Sequence, residues 1–265
     1  MDFTTYEQIE FTRDGRVLTI RLNSGQPLNA VSHALHHELG RVFYEAAADP
    51  DSDVLILTGH GHAFSAGGDV NWLAAQIRGE GEPFVSESRT MRAIVHGLLD
   101  CPKPVIARVN GDAFGIGASL ALLCDIVIAV DTARIADPHV RMGLSAGDGG
   151  ALIWPQLIGF AKAKHYLLTG DAIDAVEAER IGLISFVKPA DEFNAFVANY
   201  AAKLARGAQT AIRYTKSTTN LALRDLFNSV FETGAAYEAL CRETPDFHEA
   251  VTAFQEKRRP VFGRR

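Results

Sequence analysis

The chain has 265 residues, 47% hydrophobic and 22% charged, a balance that excludes collagen-like, coiled-coil and disordered chains. That length fits one large domain, or one domain with a small appendage, and either can bury a sizeable core. A formal net charge of -6 argues against a general nucleic-acid binder or a membrane-surface protein, while leaving room for a local basic patch facing a small anion.

Taken in chain order, Glu7–Arg13 and Arg16–Leu22 have strand periodicity and are joined at Asp14-Gly15, a hairpin dipeptide. Leu35, Leu39, Val42, Phe43 and Ala46 fall on one helical face, and Asp49-Pro50 ends that helix. Val54–Thr58 is a short continuous apolar run, the pattern of a strand buried on both faces. A Gly-rich loop from Gly59 to Gly68 leads into a helix starting at Asp69. Arg78 to Pro83 is a polar surface loop. Met91, Ile94, Val95, Leu98 and Leu99 mark the next helix, which Pro102-Lys103-Pro104 breaks before a strand at Val105–Val109.

A glycine turn, an apolar helix at Ile116–Cys124 and a strand at Ile126–Ala129 follow. Beyond Gly143 the pattern predicts helices around Leu152–Ile158, Ala161–Leu168 and Val176–Ile181, then a strand at Leu183–Val187. After Asp191 strand signals stop, and four helical segments remain around 191–205, 208–223, 226–242 and 246–257. This order predicts an α/β core with a C-terminal helical subdomain.

Cys101, Cys124 and Cys241 are an odd set with no CxxC or zinc-ligand spacing, which reads as a reduced cytosolic protein with inert buried thiols. Met1 to Glu10 has no apolar core, so no signal peptide is expected. The greasiest stretch, Ala113 to Val130, carries Ser119 and Asp125 and is not expected to cross a membrane.

Two glycine-rich turns concentrate the chemistry: Phe64-Ser65-Ala66-Gly67-Gly68-Asp69 and Asn110-Gly111-Asp112-Ala113-Phe114-Gly115-Ile116-Gly117. Each is a strand–loop–helix junction, where glycine permits close backbone approach and the helix start leaves N–H groups unpaired. Two such junctions from neighbouring strands either aim two donors at one oxygen, as an oxyanion hole does, or serve packing alone. Neither matches the P-loop or dinucleotide fingerprint.

These turns, with Lys103-Pro104-Val105-Ile106-Ala107, Cys124-Asp125, Gly143, Gly149-Gly150, Leu168-Thr169-Gly170, Ala178–Gly182-Leu183 and Phe254-Gln255-Glu256-Lys257-Arg258, resemble the crotonase (enoyl-CoA hydratase/isomerase) superfamily, in collinear order over nearly the whole chain. The resemblance implies a spiral of ββα units over residues 1–195, carrying the active site. It also implies a helical region over 196–265 that mediates trimers, commonly paired into hexamers. It implies an enzyme acting on an acyl-CoA or enoyl-CoA thioester, with coenzyme A as part of the substrate and no separate cofactor or metal.

On this resemblance the thioester oxygen sits between the N–H groups of Gly68 and Ile116; the family usually has glycine where Ile116 stands, a change that keeps the donor and reshapes the wall. Ala66, Gly68, Phe254 and Lys257 match positions that approach CoA. Lys257 also belongs to a basic run with Arg258, Arg259, Arg264 and Arg265, whose ordinary fate is solvation.

The acid–base positions depart from the family. Hydratases of the family use two glutamates there, and this chain has Ser119 and His139. Serine is a poor proton acceptor, whereas histidine titrates near the operating range. His139 is therefore the first candidate for proton transfer, against an inert histidine in a surface turn after Pro138. Asp148, among three glycines, is either an N-cap or a second catalytic group. Ser119 either bonds back within its helix or holds a water or hydroxyl.

The leading expectation is an enoyl-CoA hydratase/isomerase-like enzyme working through a stabilised enolate. Thioester hydrolysis, isomerisation, C–C lysis and a non-catalytic CoA-thioester-binding homologue are the alternatives. Of the other histidines, His33, His36, His37, His60 and His62 are expected in solvent; His96, Trp72 and Trp154 are expected to pack. Phe84, Phe114, Trp154 and Phe227 are candidates to line a pocket.

Overall fold

The computed structural model describes residues 3–263; Met1, Asp2, and the Arg264 and Arg265 that end the basic run lie outside the described residues. The N-terminal hairpin pairs β1 (Ile9–Asp14) with β2 (Val17–Leu22) in antiparallel fashion through the Asp14-Gly15 turn, with Asp14 opposite Val17. Gly15 has φ +52°, the left-handed conformation that this tight connection needs.

Helix α1 (His33–Ala48) then crosses over to β3 (Val54–Gly59), which lies parallel to β2. Every residue of β3 is buried, as its continuous apolar run requires of a central strand. Leu55 and Leu57 are fully enclosed, each gaining about 1.5–3 kcal/mol from burial. Helices α2 (Val70–Ile77) and α3 (Phe84–Asp100) follow, then β4 (Val105–Val109), the two-residue β5 (Ala113–Phe114), α4 (Ile116–Leu122) and β6 (Ile126–Val130).

Strand β7 (Arg134–Ala136) leads through a 3-10 turn (His139–Met142) to α5 (Gly150–Thr169), then β8 (Ile173–Asp174), α6 (Ala175–Arg180) and β9 (Phe186–Lys188). The main sheet runs β1-β2-β3-β4-β6-β9, parallel except for the first pair, and a small second sheet runs β5-β7-β8. The isolated bridge Ser65↔Ala113 joins the first glycine turn to β5 of the second sheet, and Val31↔Gly68 ties the same turn to the residues before α1. This is the predicted α/β architecture.

The expected strand at Leu183–Val187 begins later, because Leu183–Ser185 form the turn out of α6 and only Phe186–Lys188 pair with β6. The two helices expected beyond Gly143, around Leu152–Ile158 and Ala161–Leu168, run through one element broken at Gly159, where φ is +72° and ψ 161°. The segment expected over 208–223 stops at Thr219: α8 (Gln209–Thr219) and α9 (Leu221–Arg242) meet at Asn220, whose Nδ2 donates to the Leu99 carbonyl at 3.0 Å. The tail is completed by α7 (Ala190–Ala205) before them and α10 (Pro245–Gln255) after them.

The tail packs on the chain's own core. Phe227 and Phe231 of α9 stack at 4.6 Å inside the main hydrophobic cluster, and Phe247 and Val251 of α10 pack with Ala74 and Leu144. Two buried lysines fasten the layers together. Lys103 donates to the carbonyls of Ala46 and Asp49 at the C-terminal end of α1 and to Ser52 Oγ, where a cation meets the negative end of the helix dipole. Lys216 of α8 donates to the Lys103 carbonyl at 2.9 Å and pairs with Asp125 at 2.7 Å. No helix among the described residues is long and apolar enough to cross a membrane.

Candidate active site

The two glycine turns touch. Phe114 N–H donates to the Ser65 carbonyl at 2.9 Å, and a Cβ placed on Gly67 (φ +93°) would fall 3.0 Å from the Phe114 carbonyl oxygen. Gly115 adopts φ +53°, and its N–H donates to Ala136 of β7 at 2.9 Å, which leaves Ile116 as the first residue of α4. Two asparagines brace this layer. Asn29 Nδ2 donates to the carbonyls of His60 and Ala63 at 2.8 and 2.9 Å, and Asn110 Nδ2 donates to Gly61 and Ala63 at 3.0 Å.

Among the described residues, the N–H groups of Gly68 and Ile116 carry no hydrogen bond, and both residues line one cavity of about 530 Å³. The space above Gly68 is open: a Cβ there would meet nothing within 4 Å. Backbone donors at a helix start, left unpaired beside a cavity, are suited to charge developing on an oxygen.

His139 faces the same cavity from the far side of the second turn, its Cε1 3.8 Å from where a Cβ on Gly115 would stand. It is no solvated surface histidine; its side chain keeps only 13% of its exposure. Its Nδ1 bonds Asp137 Oδ1, and its Nε2 lies 3.3 Å from Asp148 Oδ2. Burial alone would discharge the ring, but the two carboxylates more than offset that penalty and hold His139 well above the ordinary histidine value. Burial likewise opposes the charge on Asp148, which the imidazolium and the Ser119 hydroxyl keep below the usual carboxylate range.

Asp148 thus serves two roles. Its Oδ1 accepts from Ser119 Oγ at 3.0 Å and from Gly150 N–H at 3.4 Å, a weak cap at the start of α5, while Oδ2 faces His139. Ser119 is fully buried inside α4 and does not line the cavity; its hydroxyl is turned to Asp148. Asp137 completes the cluster without having carried a sequence signal. Sitting before Pro138 it looks like a turn residue, but its side chain is 1% exposed and its Oδ2 lies where a Cβ on Gly150 would fall.

Ala66, Gly68 and Phe254 line the cavity, with Phe254 largely exposed at its mouth; Lys257 lies beyond α10 on the surface and does not line it. Phe84 and Phe114 line the cavity as expected, whereas Trp154 and Phe227 are fully enclosed in the core. His36, expected in solvent, is buried on the inner face of α1 beside Leu35 and Leu39, against Trp72 at 5.3 Å, and lines the cavity. Burial pulls its pKa down to about 3, so it is neutral at physiological pH.

At the other end, Arg242 of α9 pairs with Glu87 at 2.9 Å and Glu238 at 2.8 Å and donates to Gln76 Oε1 at 2.6 Å. This polar network lines one wall of the cavity with one cation between two carboxylates. Nothing in the spacing of Glu87, Glu238 and Arg242 points to it, because the three meet only when α9 folds back on α3.

The enoyl-CoA hydratase/isomerase family model matches residues 12–265. The chain belongs to this family. A protein named probable enoyl-CoA hydratase in Mycobacterium tuberculosis is 37% identical over 98% of this chain and 100% of its own length. The 2,3-dehydroadipyl-CoA hydratase of Escherichia coli is 34% identical over 95% of this chain and 96% of its own. A crystal structure of an enoyl-CoA hydratase/isomerase from Mycobacterium paratuberculosis superposes with a TM-score of 0.87 at 38% identity, covering 92% of this chain and 97% of that one. The family's α/β fold and its enzyme class therefore apply to the chain as a whole.

Proposed function

We propose that this family member hydrates an α,β-unsaturated enoyl-CoA thioester, with the Asp148–His139 pair in the place of paired glutamates. The observation that carries the reading is the cavity itself: two free backbone N–H groups, from Gly68 and Ile116, share it with a buried carboxylate–imidazolium pair. The thioester carbonyl oxygen accepts from both N–H groups. The Asp148 carboxylate takes a proton from water as its oxygen bonds to Cβ; the C=C π pair moves through Cα to the thioester oxygen, where the two donors stabilise the enolate. His139 then gives its Nε2 proton to Cα. Transfer of the proton from Asp148 back to Nε2, across 3.3 Å, resets the pair.

Asp137 orients the ring through Nδ1, and Ser119 orients Asp148. Both are positioning residues. The CoA portion lies along the first turn near Ala66 and leaves past Phe254, while Phe84, Met91 and Phe114 offer apolar contact to the acyl chain. Exposed Leu221, Tyr237 and Leu240 on α9 favour burial by further copies of the chain, as a trimer or a pair of trimers. A cytoplasmic location fits the three free cysteines.

The same pair can move a proton from one carbon of an enoyl thioester to another, so double-bond isomerisation is the second reading, favoured because His139 and Asp148 both line the cavity. Incubation with a panel of acyl- and enoyl-CoA thioesters, followed by mass spectrometry, tests both. Hydration adds the mass of water, isomerisation leaves mass unchanged and shifts retention, and hydrolysis releases free CoA. Absence of any CoA-thioester turnover or binding would overturn the reading.

A further inference from the structure

We propose that His33, His37 and Glu82 form a site for a borderline divalent transition-metal ion, Zn²⁺ first, that fastens the α2–α3 connection to the start of α1. The two histidines stand one turn apart on α1, i and i+4, and so share a face. Their Nε2 atoms are 3.1 Å apart, and each faces Glu82 Oε1, at 3.4 Å from His33 and 3.5 Å from His37.

Those three separations are the edges of a tetrahedral face. Ligands at the Zn–N and Zn–O distances of about 2.0–2.1 Å lie about 3.3–3.4 Å from one another in a tetrahedron. A triangle with edges of 3.1, 3.4 and 3.5 Å accordingly admits a point about 2.0 Å from all three atoms, just off their plane. The fourth position is left for water. Two imidazoles and one carboxylate select zinc, cobalt, nickel or copper over magnesium and calcium, which prefer all-oxygen shells.

The three residues are half-exposed, so an ion reaches them from solvent without rearrangement. The other cluster with suitable donors, Asp137, His139 and Asp148, is a different case. Its ring nitrogens are already engaged by two carboxylates that hold the imidazole as a cation, the form that cannot ligate a metal.

The position gives the site a consequence. His33 lies 5.9 Å from the Trp72 ring, and Trp72 together with Phe84 lines the cavity on either side of the 78–83 connection that carries Glu82. An ion held there ties that wall of the cavity to α1.

The test is calorimetric titration of Zn²⁺ into tag-free, chelator-stripped full-length protein, with Co²⁺ absorption as a geometric readout. The expected result is one equivalent bound, the intense visible bands of tetrahedral Co²⁺, and slower amide exchange over residues 78–83 with metal. His37→Ala and Glu82→Gln, each of which leaves the catalytic pair untouched, should weaken binding at least about tenfold while the circular dichroism spectrum stays that of the parent. No binding by the parent protein, or binding equally tight in both variants, would overturn the site. Neither outcome bears on thioester turnover.

Discussion

His139 and Asp148 lie 3.3 Å apart, Nε2 to Oδ2, with the imidazole clasped on its other side by Asp137. Three ionisable groups in one buried cluster hold two carboxylates and one mobile proton. In the proposed mechanism that composition provides a base and an acid together, without either glutamate of the family pattern.

The first consequence is a pH profile. In the proposed hydration Asp148 acts ionised and His139 protonated, so the rate should be level through neutral pH. It should fall on the acid side as Asp148 takes a proton below the usual carboxylate range, and on the alkaline side as His139 loses its own above the usual histidine range. For stability the signs run the same way. A raised histidine pKa contributes fully below its unfolded value, about 6.5, and is lost as pH rises through the folded value; the lowered Asp148 contributes above about 3.9 and is lost as pH falls through its folded value. The His139 ring resonance, followed by NMR, should show no titration between about pH 6 and 7.

Ser119→Ala removes the hydroxyl that donates to Asp148 Oδ1 at 3.0 Å. The variant should fold, lose about tenfold in kcat with little change in KM, and show its acid limb displaced upward, because an ionised carboxylate has lost a hydrogen bond. A steady-state pH profile checks this. A purely structural serine would lower stability and leave the limb where it was.

Ile116→Ala keeps the N–H that faces the cavity while trimming the side chain. Turnover of a short enoyl-CoA should stay within about tenfold of the parent, since the donor is backbone, at a stability cost of about 2–4 kcal/mol from the cavity left behind. Bulkier acyl groups should gain relative to short ones in kcat/KM measured across a chain-length series.

Much of the frame is legible in sequence because the physics there is local. The apolar run Val105–Val109 is the strand β4 residue for residue, and the spacing of Leu35, Leu39, Val42, Phe43 and Ala46 places the inner face of α1. That same spacing, extended to position 36, puts His36 indoors, three residues before Leu39 and seven before Phe43. Strands β5, β7 and β8 have two or three residues each and exist only through their neighbours, so no period announces them. Asp137 is the clearest loss at the site: an aspartate before proline carries a turn signal, and its role depends on Gly150 arriving from α5. Trp154 and Phe227 are pocket candidates by size alone, and size does not distinguish a cavity wall from a core.

Lys103→Met tests the fastening beneath the sheet. The substitution strands the carbonyls of Ala46 and Asp49 at the end of α1 and removes the buried cation that burial already holds below the ordinary lysine value. Urea denaturation should show a loss of about 2–4 kcal/mol, with thioester binding by the folded fraction unchanged.

The most direct measurement compares enoyl-CoA hydration rates at saturating substrate for the parent protein and for Asp148→Asn, a change that keeps the shape of the side chain. The expected result is measurable hydration by the parent and a fall of about 10²–10⁴ in kcat with KM nearly unchanged in the variant, the loss belonging to proton transfer. Equal kcat in the two proteins would contradict the assignment of the His139–Asp148 pair as the acid–base unit.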